Sequence, residues 1–215
     1  MKIGKKAKII LLILLGFLFF CLISFFYIIF NSLGGNITLD SLFYSSGKLV
    51  GLIGFLFLSL LIFSGETARF FDKFFGINKI ILFQRKFALI TSLFVILHPI
   101  FFILSSKSFS YLIPSFILTP LTLGIVSFYL FIIIMISSFL YKRISYKTWQ
   151  YLHILIYILF FFSLYHAIKI GSDSELLLIR LIYFIAFFSI LIGIIYRTHY
   201  KIKQRASEKF YVKEI

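Results

Sequence analysis

A chain of 215 residues that is 61% hydrophobic and carries a net charge of +15 is not an ordinary water-soluble domain, where apolar residues are about half. Its mean hydropathy is +1.08, and its apolar residues gather into runs near the roughly 20 residues that cross a bilayer as helix. Composition therefore predicts an all-α polytopic membrane bundle. It excludes a separate soluble domain of about 100 residues, and a nucleic-acid partner is not implied, because the basic residues lie in short segments between apolar runs.

Six spans are expected in chain order, at about residues 8–30, 48–64, 86–105, 114–140, 148–168 and 176–196, forming one domain over 1–215. The opening MKIGKKAK and the apolar run from Ile9 to Phe30 resemble a secretory signal. That run is too long for a signal core and no Ala-x-Ala-like site follows it, so it reads as a retained first span. The second span is short. Between it and the third, Gly65 to Phe83 is amphipathic and aromatic and is expected along the membrane interface, with docking of an electron donor as the sharper reading. The last stretch, Thr198 to Ile215, is basic and polar and reads as a tail in solvent or among lipid headgroups.

Charge gives orientation. Of the 22 Lys and Arg residues, 18 fall on one side: four near the N-terminus, five from Arg69 to Lys86, three from Lys142 to Lys147, and six from Arg197 onward. Only Lys48, Lys107, Lys169 and Arg180 remain for the other side and the spans. The positive-inside rule then puts both termini in the cytoplasm, in agreement with an even number of spans. The expected location is a bacterial cytoplasmic (inner) membrane, in contact with lipid.

The chemistry lies in the histidines. A histidine inside a lipid-spanning helix needs a partner or a function. The stretch WQYLHILIYILFFFSLYH, Trp149 to His166, carries two, and His98 sits in the third span. The third and fifth spans run in the same direction, so depths compare directly. At 1.5 Å per residue His98 lies roughly 18 Å in, His153 roughly 8 Å and His166 roughly 27 Å. His153 and His166 are about 20 Å apart along the axis and cannot share one iron. His98 with His166 is the economical pair of axial ligands for an outer haem. His153 would serve a second, inner haem whose opposite ligand is not evident. Gln84 is near the right depth but is a poor ligand, and His199 follows the sixth span as a weak candidate. Thirteen residues make about 3.6 turns, which sets His153 and His166 on nearly opposite faces. The blander reading is that each histidine hydrogen-bonds across a helix interface. Cys21 is the only cysteine, and no Cys-x-x-Cys-His motif is present, so a haem would be bound non-covalently.

Other residues have simpler readings beside sharper ones. Pro99 removes a helix hydrogen bond and can kink the third span. Arg180 can snorkel to the interface or pair with a propionate of the outer haem. Arg85, with Lys86, anchors the third span on the positive side and could also hold a haem propionate or a flavin phosphate. Trp149, Tyr151 and Tyr157 suit an interfacial aromatic belt. No Asp or Glu falls inside an expected span.

The run RKFALITSLFVILH, Arg85 to His98, resembles the third helix of the ferric reductase-like transmembrane domain family. Trp149 to His166 resembles its fifth, with Trp-x-x-Leu-His, Tyr157 four residues after that histidine, and a second histidine at thirteen. The pattern is nearest the MsrQ (YedZ) branch of haem-binding membrane subunits, although Ile154 and Phe87 to Leu89 depart from that branch. Gln84 stands where ferric reductases carry a further histidine. The resemblance implies haem b, one or two per chain, ligated by His98, His153 and His166. It also implies a flavin, FMN or FAD, in some members, and electron flow from the cytoplasmic side outward.

The function so indicated is an electron-transfer oxidoreductase subunit that needs partners. A cytoplasmic flavin reductase or the quinone pool would be the donor, and a periplasmic reductase or other oxidant the acceptor. No glycine-rich nucleotide fingerprint is present for NAD(P)H. Two other classes stand beside it. One is a haem-free transporter or structural protein with packing or proton-relay histidines, disfavoured by the lack of acidic residues in the spans. The other is a quinol-oxidising cytochrome b-like subunit.

Overall fold

The computed structural model describes residues 5–32 and 37–213, with side chains described for 9–31 and 37–204. It contains seven α-helices among these residues and no strand. They are α1 (Lys5–Ser32), α2 (Leu39–Glu66), α3 (Ala68–Phe75), α4 (Ile77–Ser106), α5 (Pro120–Phe139), α6 (Tyr146–Ile170) and α7 (Leu177–Lys213). Six, all but α3, are long and apolar enough to cross a membrane. The protein is an integral membrane protein, and its exposed apolar side chains meet lipid. On α4, Leu82, Leu89 and Leu93 are all more than half exposed.

Helix ends depart from expectation where local capping or packing outweighs polarity. The second span is not short. It begins at Leu39, because Thr38 and Ser41 form a reciprocal capping box: Thr38 Oγ1 accepts the Ser41 N–H at 3.2 Å, and Ser41 Oγ accepts the Thr38 N–H at 3.0 Å. The polar run after it therefore continues as helix. The fourth begins six residues later than expected. Thr119 caps its start and Pro120 takes the first turn, where a missing N–H costs nothing. Pro114 lies in the connecting loop. Much of the interfacial segment expected over 65–83 belongs instead to α2 and α4, which leaves the eight-residue α3 between them. Gly76, at φ 84°, makes the turn into α4. Pro99 is carried within a continuous α4. The basic stretch after Tyr196 continues α7 as helix to Lys213.

The core gathers on α2. Phe55 of α2 stacks on Phe160 of α6 with centroids 5.6 Å apart and meets Tyr183 of α7 edge-on at 5.3 Å. Phe160 and Ile190 are fully buried. Along its other face, Gly47, Gly51 and Gly54 let α4 come close: a Cβ on Gly47 would lie 3.1 Å from the Phe102 ring, and one on Gly54 3.4 Å from Phe94. Small residues on one face are how membrane helices approach each other when water gives them no hydrophobic drive.

One polar knot ties α2, α6 and α7 together. Glu66, the last residue of α2 and only 7% exposed, accepts hydrogen bonds at Oε1 from Tyr157 Oη and from the Arg197 guanidinium, both at 2.7 Å. The lengthened α2 thus takes in Asp40 in its first turn and Glu66 as its last residue, both beyond the bounds expected for that span. A buried carboxylate of this kind is tolerable only with such partners. Glu66→Ala strands the Tyr157 hydroxyl and the half-exposed guanidinium. It is expected to cost about 2 kcal/mol, below the cost of breaking a fully buried pair, because water still reaches Arg197. Glu66→Gln keeps an acceptor and should lose about half of that. Thermal midpoints of the purified variants in one detergent check the order, and equal midpoints for wild type and Glu66→Ala would contradict it.

Candidate functional site

Helix pairing decides which histidines meet. Late in α4, His98 lies against the early part of α2. Its Nδ1 is 2.8 Å from the Gly47 carbonyl oxygen, and a methyl group on Gly51 would collide with its ring. Late in α6, His166 lies against the start of α5. Its Nδ1 is 2.9 Å from the Pro120 carbonyl oxygen, and a methyl group on Gly124 would collide with that ring. The two seats are built alike. In each, the ring covers a glycine, and its Nδ1–H donates to the carbonyl four residues before that glycine. Since a carbonyl can only accept, Nδ1 must carry the proton and Nε2 is left with a free lone pair. This is the ligating form of imidazole, fixed by the hydrogen bond at its other nitrogen.

The two rings stand with centroids 6.4 Å apart and planes at 86°. An iron with two axial imidazoles lies about 2 Å from each nitrogen, so the ring centres of such a pair stand about 6 Å apart. Perpendicular planes are compatible with this, because both can contain the axis through the metal. Around the rings is a cavity of about 290 Å³, at the lower edge of the range of about 300–1,000 Å³ for small-ligand sites. Its walls are mainly apolar, with Leu52, Phe55, Val95, Phe128 and Phe131 among them. Its charged lining is Lys48 and Asp173, with Ser172 and Ser174 beside them. Lys48 Nζ reaches both carboxylate oxygens of Asp173 at 2.8 Å.

The described residues hold no group of three or more His, Cys, Asp and Glu side chains that would bind a bare metal ion. A porphyrin brings four ligands of its own and needs only the axial pair, so the donor set fits a haem and not a naked cation.

The remaining candidates lie elsewhere. His153 does not line the cavity. It stacks on Trp149 with centroids 4.7 Å apart, and its buried Nδ1 has no hydrogen-bond partner. It thus lacks the backbone anchor that sets the other two. Gln84 turns to α2, with its amide 3.5 Å from Ser64 Oγ. His199 is exposed. Arg85 is exposed and lies over the Tyr141 ring at 5.8 Å. Arg180 is exposed, and its Nε donates to the Ser174 carbonyl at 2.8 Å. Sequence reasoning singled out neither Lys48 nor Asp173 as a site residue. Lys48 stood at the rim of a span, and Asp173 lies in a turn far along the chain.

No curated protein and no solved structure matches the chain. The family model for the ferric reductase-like transmembrane component matches residues 50–164, a little over half of the chain, from the middle of α2 to late α6. That stretch includes His98, His153, Gly51 and Gly124, and ends two residues before His166. On this match the chain belongs to the ferric reductase-like transmembrane component family.

Proposed function

We propose that this protein is the membrane subunit of an electron-transfer system and holds one haem b between His98 and His166. The observation that carries the reading is the matched pair of seats: two imidazoles, each with Nδ1 tied to a backbone carbonyl, 6.4 Å apart at one cavity. A bound haem b supplies a one-electron iron couple. The protein's own part is positional. The Gly47 and Pro120 carbonyls hold both rings in the ligating tautomer. Gly51 and Gly124 let the rings approach the backbone, and phenylalanine side chains make the walls apolar. An apolar surround of this kind is one of the means by which proteins set haem potentials.

The basic ends of the helices support an orientation with both termini in the cytoplasm. The cavity then lies toward the outer face, where an outside acceptor can be reduced, and the Glu66 end faces a cytoplasmic donor. A flavin reductase or a quinol fits that place, since no nucleotide-binding fingerprint is present in the chain. His153 is left out of this haem. It lies outside the cavity, and its Nδ1 has no hydrogen-bond partner among the described residues.

Haem quantification and visible spectra of protein purified from haem-sufficient cells test the reading. Wild type should carry about one low-spin b-type haem per chain. His98→Ala and His166→Ala should each lose the low-spin spectrum, since each removes one axial ligand. His153→Ala should keep it. Colourless wild-type protein would overturn the proposal. So would a low-spin spectrum that survives both alanine substitutions.

The glycine seats give a second check. Gly51→Ala and Gly124→Ala add a methyl where a ring now lies. Each should reduce the low-spin haem fraction severalfold, while Gly16→Ala, with open space around its Cβ, should not. Wild-type haem content in both seat variants would show that the rings do not need those positions.

A further inference from the structure

The charged pair at the cavity has no role in joining helices to iron, and yet it is kept out of water. Lys48 and Asp173 side chains are only 12% and 14% exposed. A buried ion pair costs as much desolvation as it returns in attraction, and an apolar pair of similar size would serve stability as well. Charges held at membrane depth mark ligand or ion sites more often than packing. Among the described residues, Lys48 and Asp173 are the only charged ones that line the cavity. An ammonium has three N–H donors. The two carboxylate oxygens of Asp173, both at 2.8 Å, engage at most two of them. The Tyr44 ring lies 5.7 Å from the same nitrogen and takes no N–H in the plane of a carboxylate. One N–H donor remains for something else.

Lys48 also has a fixed position relative to the histidines. It follows Gly47, whose carbonyl holds His98, and precedes Gly51, which lies beneath the His98 ring. It is thus within one helical turn of an axial position, about 5 Å along α2. The serines beside Asp173, Ser172 and Ser174, bring hydroxyls to the same edge of an otherwise apolar space. The edge therefore carries an ion pair and hydroxyls beside an otherwise apolar space.

We propose that Lys48 binds a carboxylate of the tetrapyrrole through the N–H that Asp173 leaves open. This rests on the haem reading and deepens it. It fixes which edge of the ligand points where: the carboxylates toward the turn between α6 and α7. Arg180 donates to the Ser174 carbonyl in that turn and is not among the residues that line the cavity.

The test separates ligand charge from ligand shape. Apo-protein from haem-limited cells is titrated with haemin and with haemin dimethyl ester, which keeps the ring and iron but has no carboxylate. Soret absorbance follows binding. Partition of each ligand into protein-free detergent is measured and each affinity is corrected for it, so the preferences of wild type and of every variant are read directly. In wild type haemin should bind about tenfold more tightly than its ester, the worth of one charge-assisted hydrogen bond. Lys48→Gln should reduce that preference to about twofold or less through weaker haemin binding, with ester binding unchanged. Lys48→Arg should retain the preference. Asp173→Asn guards against a purely structural role. It breaks the same ion pair but should leave the preference at least as large as in wild type, because the ammonium is free for the ligand.

Equal binding of both ligands by wild type overturns the proposal. A tenfold preference that persists in Lys48→Gln does so as well, as does an equal loss for both ligands in Lys48→Gln and Asp173→Asn. Failure of wild type to form a low-spin species with either ligand is a different result, and it overturns the haem reading itself.

Discussion

The structure depends on a contact made twice, a histidine ring seated over a glycine with its Nδ1–H on the carbonyl one helical turn before. The α2/α4 pair makes it at Gly47 and Gly51, and the α5/α6 pair makes it at Pro120 and Gly124. Neither glycine can gain a methyl without displacing a ring. Neither histidine can turn without stranding its Nδ1–H in a low-dielectric interior, where an unpaired donor costs about 1–3 kcal/mol. The helix pairs and the ring orientations are therefore set by the same four backbone positions. Lipid gives helices little reason to associate beyond close packing and such hydrogen bonds, so the features that hold the pairs together also prepare the site.

Around that contact the two ends of the bundle differ. The end with the histidine pair is an apolar cavity with a single ion pair at its edge, Lys48 with Asp173. The other end is closed by Glu66, Tyr157 and Arg197, which bind α2, α6 and α7 by direct hydrogen bonds. A space with free imidazole lone pairs can take a metal-bearing ligand. A knot whose donors and acceptors largely satisfy one another mainly stiffens the bundle. His153 lies toward the knot, stacked on Trp149, and Glu66 Oε2 and His153 Nδ1 are the buried side-chain polar atoms there without a hydrogen-bond partner.

Much of this was legible in the sequence, for a physical reason. Bilayer thickness imposes a length on apolar runs, so the six crossings are visible as six runs. Their ends are less visible. The start of α2, from Asp40 to Lys48, reads as loop because it is polar, but a capping box at Thr38 and close packing on α4 keep it helical. Glu66 falls in the stretch that its polarity assigns to the interface, for the same reason. The approach of His98 to His166 was legible through depth alone, because α4 and α6 run in parallel and rise per residue converts position to height. Azimuth was not legible. Nothing local in the sequence says that His98 faces Gly51, or that Lys48 finds Asp173 across 125 residues. Those contacts come from helix rotation, which the packing of the whole bundle decides.

The most direct measurement is low-temperature electron paramagnetic resonance of the oxidised, haem-loaded protein, with spins counted per chain. Two imidazoles at right angles leave the iron's π-type orbitals nearly equal in energy. A haem held as His98 and His166 now stand should therefore give one low-spin ferric signal with a single large g value, at about one spin per chain, and His166→Ala should abolish it. A high-spin signal in wild type would contradict the shared axial pair, as would two distinct low-spin centres or a low-spin signal that His166→Ala leaves intact.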